Sequence, residues 1–304
     1  MVNSDKINKK EKSVKVREST GYTIFKYVNT LIMILICAIT LYPFLYLVAQ
    51  SFSSEEAITL GKVTLFPVGF NINTYKSVLE KGDFLRSYKN TVIYAVIGTF
   101  LSLVFSCCLA YPLSKKELKG HKILTKFVIF TMYFSGGLIP NYVLMQRLHL
   151  INHVAGFLIP SLISTYYVIL MKSFFAETPH ELEEAGQLDG LSPIGIFIRI
   201  VLPLSMPIIA TMILFNAVGY WNNWYNAFLY LDKKEMWPVA YYLKTIISGA
   251  STSADPGEVN AEKMQIAANI KSCSMVLMTL PIICIYPFIS KYYVKGMMLG
   301  GVKE

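Results

Sequence analysis

The amino-acid sequence predicts an all-α membrane protein with six transmembrane helices. Hydrophobic residues make up 54% of the 304 residues and charged residues only 15%, whereas a typical soluble domain is about one quarter charged. The sequence contains long stretches without Asp, Glu, Lys or Arg. A helix needs about 20 mostly apolar residues to cross a hydrocarbon core about 30 Å thick. Because backbone polar groups inside lipid must bond to one another, each stretch is predicted to be one helix.

The predicted spans follow a polar N-terminal segment, residues 1–26, and together form one membrane domain, residues 27–304. Prolines inside several spans are expected to kink the helices, because a proline removes a backbone hydrogen bond. The spans cover approximately residues 27–50, 91–113, 127–147, 154–172, 205–228 and 273–292.

Clusters of basic residues predict the orientation in the membrane. Lysines and arginines are kept in cytoplasmic loops beside spans, and two such clusters lie before the first span and after the second. They comprise Lys6, Lys9, Lys10, Lys12, Lys15, Arg17 and Lys26, and Lys115, Lys116, Lys119, Lys122 and Lys126. Both termini and the loop at 177–203 are therefore predicted to be cytoplasmic, in a multi-pass protein of the cytoplasmic (inner) membrane. This topology explains the net charge of +9, and nucleic acid is not expected as a partner.

Sequence motifs for catalysis and metal binding are missing. His149 and His153 have the spacing of a zinc site but lack the glutamate of H-E-x-x-H. The five cysteines have no paired C-x-x-C spacing, which argues against a disulfide framework or a zinc site. The sequence has no G-x-x-x-x-G-K-[ST] phosphate loop. We expect no catalytic residue, no metal and no ATP bound by this chain.

The loop between the fourth and fifth spans predicts two short helices joined by a sharp turn. Thr178 is expected to cap the first helix, and Glu181 completes a T-x-x-E capping box. Gly190 stands where a helix C-terminus requires positive φ. Ser192 and Pro193 then favour the start of a second helix, which is expected to end near Pro203.

This loop is a candidate docking element for another protein. Ala185 and Gly186 are small enough for a partner's backbone to approach closely, and Glu181, Glu183 and Glu184 offer negative charge. An ordinary loop that re-enters the membrane interface is the alternative interpretation.

The loop resembles the EAA signature of importer-type ABC transporter permeases: E-A-A, three residues, G, nine residues, then I-x-L-P. Gly186 stands where that family commonly has a second alanine, which keeps the residue small but lowers helix propensity by up to about 1 kcal/mol. Residues 134–140, 219–224 and 295–303 look like the MalG/LplC-like carbohydrate uptake permeases, binding-protein-dependent transport inner membrane components. The implied ATPase-coupling residues are Glu184, Ala185, Gly186, Asp189, Gly190, Ile200, Leu202 and Pro203.

The resemblance covers nearly the whole chain from about residue 25, and it implies a type I ABC importer permease fold with a cytoplasmic EAA coupling helix. The implied partners are a second homologous permease, two cytoplasmic ATPase subunits that bind ATP and Mg, and an extracellular solute-binding (lipo)protein that delivers an oligosaccharide. The C-terminal tail, with Gly300, Gly301 and Lys303, is a second candidate contact with the ATPases.

Polar and aromatic residues of the fifth span are candidates for the substrate pathway. On a continuous helix Asn216, Tyr220 and Asn223 share one face, with Trp224 and Trp221 close by. Amides bond to sugar hydroxyls, and aromatic rings offer flat apolar surface to a sugar face. For the tryptophans the alternative is an interfacial belt or packing, and for Asn216 it is hydrogen bonding between helices.

The third span adds Tyr133 as a weaker pathway candidate. A permease for a non-sugar solute, such as a peptide or an amino acid, remains the alternative function. A membrane channel would show charged rings or a repeated filter segment, and the sequence has neither.

Overall fold

The computed structural model describes residues 19–80, 82–252 and 269–287, and every regular element within these ranges is helical. The predicted all-α class is confirmed. The helices are α1 (Thr20–Ser51), α2 (Glu55–Thr59), α3 (Asn73–Glu80), α4 (Gly82–Ser114), α5 (His121–Tyr133), α6 (Leu138–Arg147), α7 (Val154–Leu158), α8 (Thr165–Ala176), α9 (His180–Leu188), α10 (Pro193–Ile196), α11 (Leu202–Leu204), α12 (Met206–Trp221), α13 (Trp224–Tyr230), α14 (Val239–Thr252) and α15 (Asn269–Pro287).

Among the described helices, α1, α4 and α15 are long and apolar enough to cross a membrane alone. Three bent pairs of helices meet the same test when the two members are taken together. The bend is 110° between α5 and α6, 54° between Val154–Ser161 and α8, and 82° between Pro193–Leu204 and α12. The single helices predicted at 127–147 and 154–172 are therefore wrong. The 82° bend lies at the start of the predicted span 205–228, which is instead interrupted at Asn222 and Asn223, between α12 and α13.

Glycine explains the 110° bend. α5 ends at Tyr133, and Phe134 is extended, with φ −105° and ψ 120°. Gly137 then adopts φ +89° and ψ 172°, which a residue with a Cβ atom adopts only under strain. α6 begins at the next residue, Leu138, in a new direction.

The chain divides into two compact units, residues 1–46 and 47–304. The described part of the first unit is α1 up to Tyr46, and its side chains are mostly exposed, with Leu31 at 67% and Ile39 at 64%. A helix that is apolar on all sides and exposed is suited to lipid or to other apolar helices.

In the second unit α4 packs against both α8 and α12. The buried face of α4 is mostly small, which lets neighbouring helices approach closely. At Gly98 an added Cβ would lie 2.6 Å from Cε2 of Tyr220, so that position requires glycine. The small buried residues of this face are Thr91, Ala95, Gly98, Ser102, Ser106 and Ala110.

Large apolar side chains fill the core near the C-terminal end of α4. Val168, Met171 and Phe175 of α8 are fully buried, and their spacing places them on one helix face. They pack with Leu113 of α4 and Met212 of α12. This core holds the helices that lead into and out of the 177–203 loop.

Candidate functional site

The first helix of the 177–203 loop is α9, and it begins one residue later than the capping box requires. Pro179 occupies the N-cap position, with φ −56° and ψ 128°, and no side chain caps the helix. Thr178 lies outside the helix, and its backbone N–H donates to the carbonyl of Phe175 at 3.3 Å. The predicted capping box is therefore wrong, because a proline fits the extended cap position and displaces Thr178 from it.

The turn after α9 has the predicted geometry. Gly190 adopts φ +80°. Its N–H donates to the carbonyl of Gln187 at 3.0 Å, and the N–H of Leu191 donates to the carbonyl of Gly186 at 2.9 Å. These two bonds form a Schellman motif, which satisfies carbonyls at the helix end.

The second helix also starts as predicted. The side chain of Ser192 accepts a hydrogen bond from the N–H of Gly195 at 3.2 Å, and Pro193 occupies the first turn. A π-helical turn, Phe197–Val201, leads into α11, and the helix stops at Ser205. The predicted end near Pro203 is confirmed, and the chain then turns by 82° into α12.

One face of α9 is turned toward its own chain. Gly186 is buried, and an added Cβ would lie 2.7 Å from Cδ1 of Ile200. Glu183 is also buried, and its carboxylate accepts hydrogen bonds from the ammonium group of Lys115. The expectation that Glu183 offers its charge to a partner is wrong, because Lys115 already neutralises that charge inside this chain.

The opposite face of α9 is exposed. Glu184 and Ala185 lie on it, and Leu188 is 89% exposed. His180 Nδ1 lies 3.0 Å from Oε1 of Glu184, one helical turn away. Asp189 and Gly190 continue this surface at the end of the helix. It is a small surface of mixed acidic and apolar character.

A polar cavity of about 360 Å³ lies between α12 and the segment that joins α7 to α8. None of the nine residues that line it, all within the described ranges, carries a charge. Glycine at 219 leaves room where α12 passes the cavity. The lining residues are Pro160, Ser161, Ile163, Ser164, Tyr167, Phe215, Asn216, Gly219 and Tyr220.

Two of the predicted pathway residues line this cavity. Asn216 is 8% exposed, and its Nδ2 donates to the carbonyl of Met212 at 2.8 Å, within its own helix. The hydroxyl of Tyr220 donates to the carbonyl of Leu158 at 3.2 Å and lies 3.1 Å from Oγ of Ser102. Asn216 thus uses one of its two amide N–H donors within its own helix, whereas the hydroxyl of Tyr220 bonds to neighbouring segments.

Asn223 does not continue the face of Asn216, because α12 ends at Trp221. The side chain of Asn223 accepts a hydrogen bond from the N–H of Asn226 at 3.1 Å and so starts α13. Its amide Nδ2 donates to Oγ of Ser161 at 3.2 Å, at the edge of the cavity. The continuous helix assumed for these residues is wrong, since asparagine at a helix start competes with helix continuation.

Asn226 joins the same network and was not among the predicted pathway residues. Its Nδ2 donates to Oγ of Ser161 at 2.9 Å and to the carbonyl of Phe157 at 3.2 Å. The run of asparagines at 222, 223 and 226 was the sequence signal for this network. The sequence around Ser161 and Ser102 contains no comparable pattern that indicates their part in these hydrogen bonds.

The aromatic candidates have different surroundings. Trp221 is 8% exposed, and its Nε1 donates to the carbonyl of Met278 at 3.1 Å. Trp224 is 38% exposed, with the ammonium group of Lys244 5.1 Å from its ring centroid. Tyr133 is 82% exposed at the end of α5 and is not part of the cavity lining. The tail candidates Gly300, Gly301 and Lys303 lie outside the described residues.

Comparison with known proteins identifies what the chain is similar to. Residues 19–227 match the model of the family described as "Binding-protein-dependent transport system inner membrane component". Protein LplC of Bacillus subtilis (strain 168) is 39% identical over 280 residues, which cover 92% of this chain and 95% of that protein. The polygalacturonan/rhamnogalacturonan transport system permease protein YtcP of the same organism is 37% identical, covering 90% of this chain and 95% of that protein.

A solved structure is similar over most of its length. It is a chain of a bacterial ABC transporter involved in the import of the acidic polysaccharide alginate, with a TM-score of 0.81 and 31% identity. The match covers 91% of this chain and 99% of that chain. A second match, at 16% identity and a TM-score of 0.55, is to a bacterial alginate ABC transporter in complex with alginate pentasaccharide-bound periplasmic protein.

Proposed function

The chain belongs to the family of binding-protein-dependent transport system inner membrane components, and on that premise we propose that it forms, with a second homologous permease, the membrane pathway of an ABC importer for an oligosaccharide. An extracellular solute-binding (lipo)protein delivers the saccharide. Similar proteins support this substrate class, since their names refer to polygalacturonan, rhamnogalacturonan and alginate.

The observation that carries the substrate class is the chemistry of the polar cavity. Its lining combines the amide of Asn216 and the hydroxyl groups of Ser161 and Ser164 with the rings of Tyr167 and Phe215. Amides and hydroxyls exchange hydrogen bonds with sugar hydroxyls, and aromatic rings supply apolar surface. A lining without charge favours an uncharged or mildly acidic saccharide over an ion or a free amino acid.

Pathway roles follow for the predicted residues near the cavity. Asn216 and Tyr220 contact the saccharide, and Asn223 shapes the edge of the cavity through Ser161. Trp224 lies at the outer rim, where its exposed ring is available to a sugar face. Trp221 acts through packing, because its ring is buried and its N–H is bonded to Met278.

The exposed face of α9 is the surface that contacts an ATPase subunit. Glu184, Ala185, Asp189 and Gly190 lie on this surface. Gly186 and Ile200 support it from behind through their close contact. Leu202 and Pro203 lie in α11, just before the 82° bend that connects the loop to α12. Two cytoplasmic ATPase subunits bind ATP and Mg, since the sequence of this chain has no phosphate loop.

The membrane topology follows from combining the helices with the basic clusters. α1, α4 and α15 each form one span, and two bent pairs, α5 with α6 and Val154–Ser161 with α8, form two more. The remaining span is α12 with α13, which follows the 82° bend at the end of the 177–203 loop. The N-terminus, the C-terminus and the 177–203 loop face the cytoplasm, because the lysine-rich segments lie on that side. The C-terminal tail extends the contact with the ATPases.

Uptake by the assembled complex tests this function. The chain is produced with the second permease, the ATPase and the binding protein of the same transport system, and the purified complex is placed in liposomes that contain ATP. Labelled oligogalacturonides, arabino-oligosaccharides, raffinose, a tripeptide and an amino acid are offered with the binding protein. We expect uptake of at least one saccharide that depends on both ATP and the binding protein. Uptake of the peptide or the amino acid alone would establish the alternative function.

A further inference from the structure

The ion pair between Lys115 and Glu183 connects α9 to a different membrane helix. Lys115 directly follows the last residue of α4 and donates to both carboxylate oxygens of Glu183. The side chain of Glu183 is only 8% exposed and that of Lys115 is 27% exposed. The ammonium group also lies 4.8 Å from the ring centroid of Tyr111, one turn earlier on α4. In the described part of the chain this is the only ion pair that joins α9 to a residue outside the 177–203 loop.

Burial makes this pair different from an exposed one. Exposed ion pairs contribute little to stability, because water solvates both charges well. A buried charge whose partner is removed has neither water nor a counter-ion, so the structure must rearrange to expose it. The pair therefore fixes where α9 sits, even if its net contribution to folding is small.

The position of Glu183 on α9 strengthens this conclusion. Glu183 and Gly186 are three residues apart and form the buried face of the helix. Gly186 fixes the distance to Ile200 within the loop, and Glu183 fixes the position relative to the end of α4. With both contacts in place, the exposed face of α9 has one orientation relative to α4.

α4 also contacts a residue that lines the polar cavity. Oγ of Ser102 lies 3.1 Å from the hydroxyl of Tyr220, which lines the cavity. Ser102 and Lys115 are 13 residues apart in the sequence, which corresponds to about 20 Å along a helix. α4 is one continuous helix through Pro112, so it links a residue in contact with Tyr220 to the ion pair with α9.

We propose that the Lys115–Glu183 pair positions α9 relative to α4, so that a movement of α9 driven by an ATPase is transmitted to the polar cavity through α4. This inference rests on the proposed function, in which α9 contacts the ATPase. Lys115 and Glu183 are positioning residues in it and touch neither substrate nor nucleotide.

A charge-reversal experiment in the liposome assay tests the proposal. The variants are Lys115→Met, Glu183→Gln and the reversed pair Lys115→Glu with Glu183→Lys. The matched control is Lys116→Met, which removes the same charge at an exposed neighbouring position. Two quantities are measured per assembled complex: the saccharide imported per ATP hydrolysed, and the rate of amide hydrogen exchange in residues 183–191.

We expect each single variant to lower saccharide imported per ATP by at least tenfold and to speed exchange in residues 183–191 by at least fivefold. The reversed pair should restore both quantities to within threefold of the original chain, and Lys116→Met should change neither by more than twofold. If Lys115→Met imports as much saccharide per ATP as the unchanged chain, the proposal is overturned. It is also overturned if the reversed pair does not restore this ratio. A loss of complex yield with an unchanged ratio would show a purely structural pair and would also overturn it.

The proposed function fails in a different way. In that case the original chain itself would show no ATP-dependent saccharide uptake, whereas the exchange measurement would still report whether the pair fixes α9.

Discussion

Replacing Asn216 by leucine separates a role in saccharide binding from a role in packing. The amide of Asn216 donates to the carbonyl of Met212, four residues earlier in the same helix, and the residue lines the polar cavity. If Asn216 joined two helices, its loss would weaken assembly, but its donor bond is internal to α12. Leucine has nearly the same size, so the substitution removes polar groups without opening a void.

The expected magnitudes follow from these contacts. A hydrogen bond to a saccharide contributes roughly 0.5–1.5 kcal/mol, which corresponds to a loss of about two- to tenfold in uptake for each bond. The stability of the complex should change by less than about 1 kcal/mol, since the lost protein bond lies within one helix. Binding and packing roles therefore predict opposite patterns of uptake and stability.

The assay compares Asn216→Leu with Asn222→Leu. Asn222 makes the same type of bond, from Nδ2 to the carbonyl of Val218 at 3.0 Å, but it is exposed and does not line the cavity. ATP-dependent uptake in liposomes, complex yield and melting temperature are measured for both variants. Asn216→Leu should reduce uptake without changing complex yield. Asn222→Leu should leave both uptake and yield unchanged. If both variants lose yield and uptake in parallel, the pathway role of Asn216 is refuted.

Two further predictions concern topology and the α9 turn. In a chain without native cysteines, an impermeant thiol reagent applied to intact cells should label Leu60→Cys, which follows the first span on the outer side. Lys119→Cys and Leu188→Cys should stay unlabelled. Labelling of these two from outside would contradict the proposed orientation. Gly190→Val should reduce ATP-dependent uptake at least tenfold and weaken co-purification of the ATPase, because a β-branched residue tolerates φ of +80° poorly. Gly195→Ala is its control, since Gly195 lies outside the positive-φ region and has room for a Cβ atom. If Gly190→Val shows the same uptake and co-purification as the unchanged chain, the role of this turn is contradicted.

Local chemistry allowed part of the loop to be predicted from the sequence. Gly190 at a helix end and Ser192 before Pro193 are signals that act over a few residues, and the structure has the turn and the helix start that they predict. The capping box was wrong for a local reason too, because Pro179 and Thr178 compete for one position and proline occupies it.

The orientation of α9 depends on residues far away in the sequence. Glu183 and Glu184 are adjacent and chemically identical, but Glu183 is buried against Lys115, 68 residues earlier, and Glu184 is exposed. A single sequence does not reveal that contact, and the sequence indicates only that Lys115 lies on the cytoplasmic side.

The hydrophobic pattern does not predict the breaks in the spans. Length and charge identify an apolar run, but they do not distinguish one helix from a bent pair of the same composition. Gly136 and Gly137 gave a local signal for a bend, although not for its angle of 110°. Asn223 looked like a pathway residue and is also the cap of α13, because the same amide suits both roles.

Substrate protection tests most directly whether the transported saccharide passes through the polar cavity. Ser164 lines the cavity, and Ser164→Cys in a chain without native cysteines gives a thiol at that place. Its labelling rate is measured in the liposome complex during ATP-driven uptake, with and without the transported saccharide, beside Leu60→Cys outside the cavity. We predict that saccharide slows labelling of Ser164→Cys at least threefold and leaves Leu60→Cys unchanged. Equal labelling rates at Ser164→Cys while the same saccharide is being imported would contradict the account.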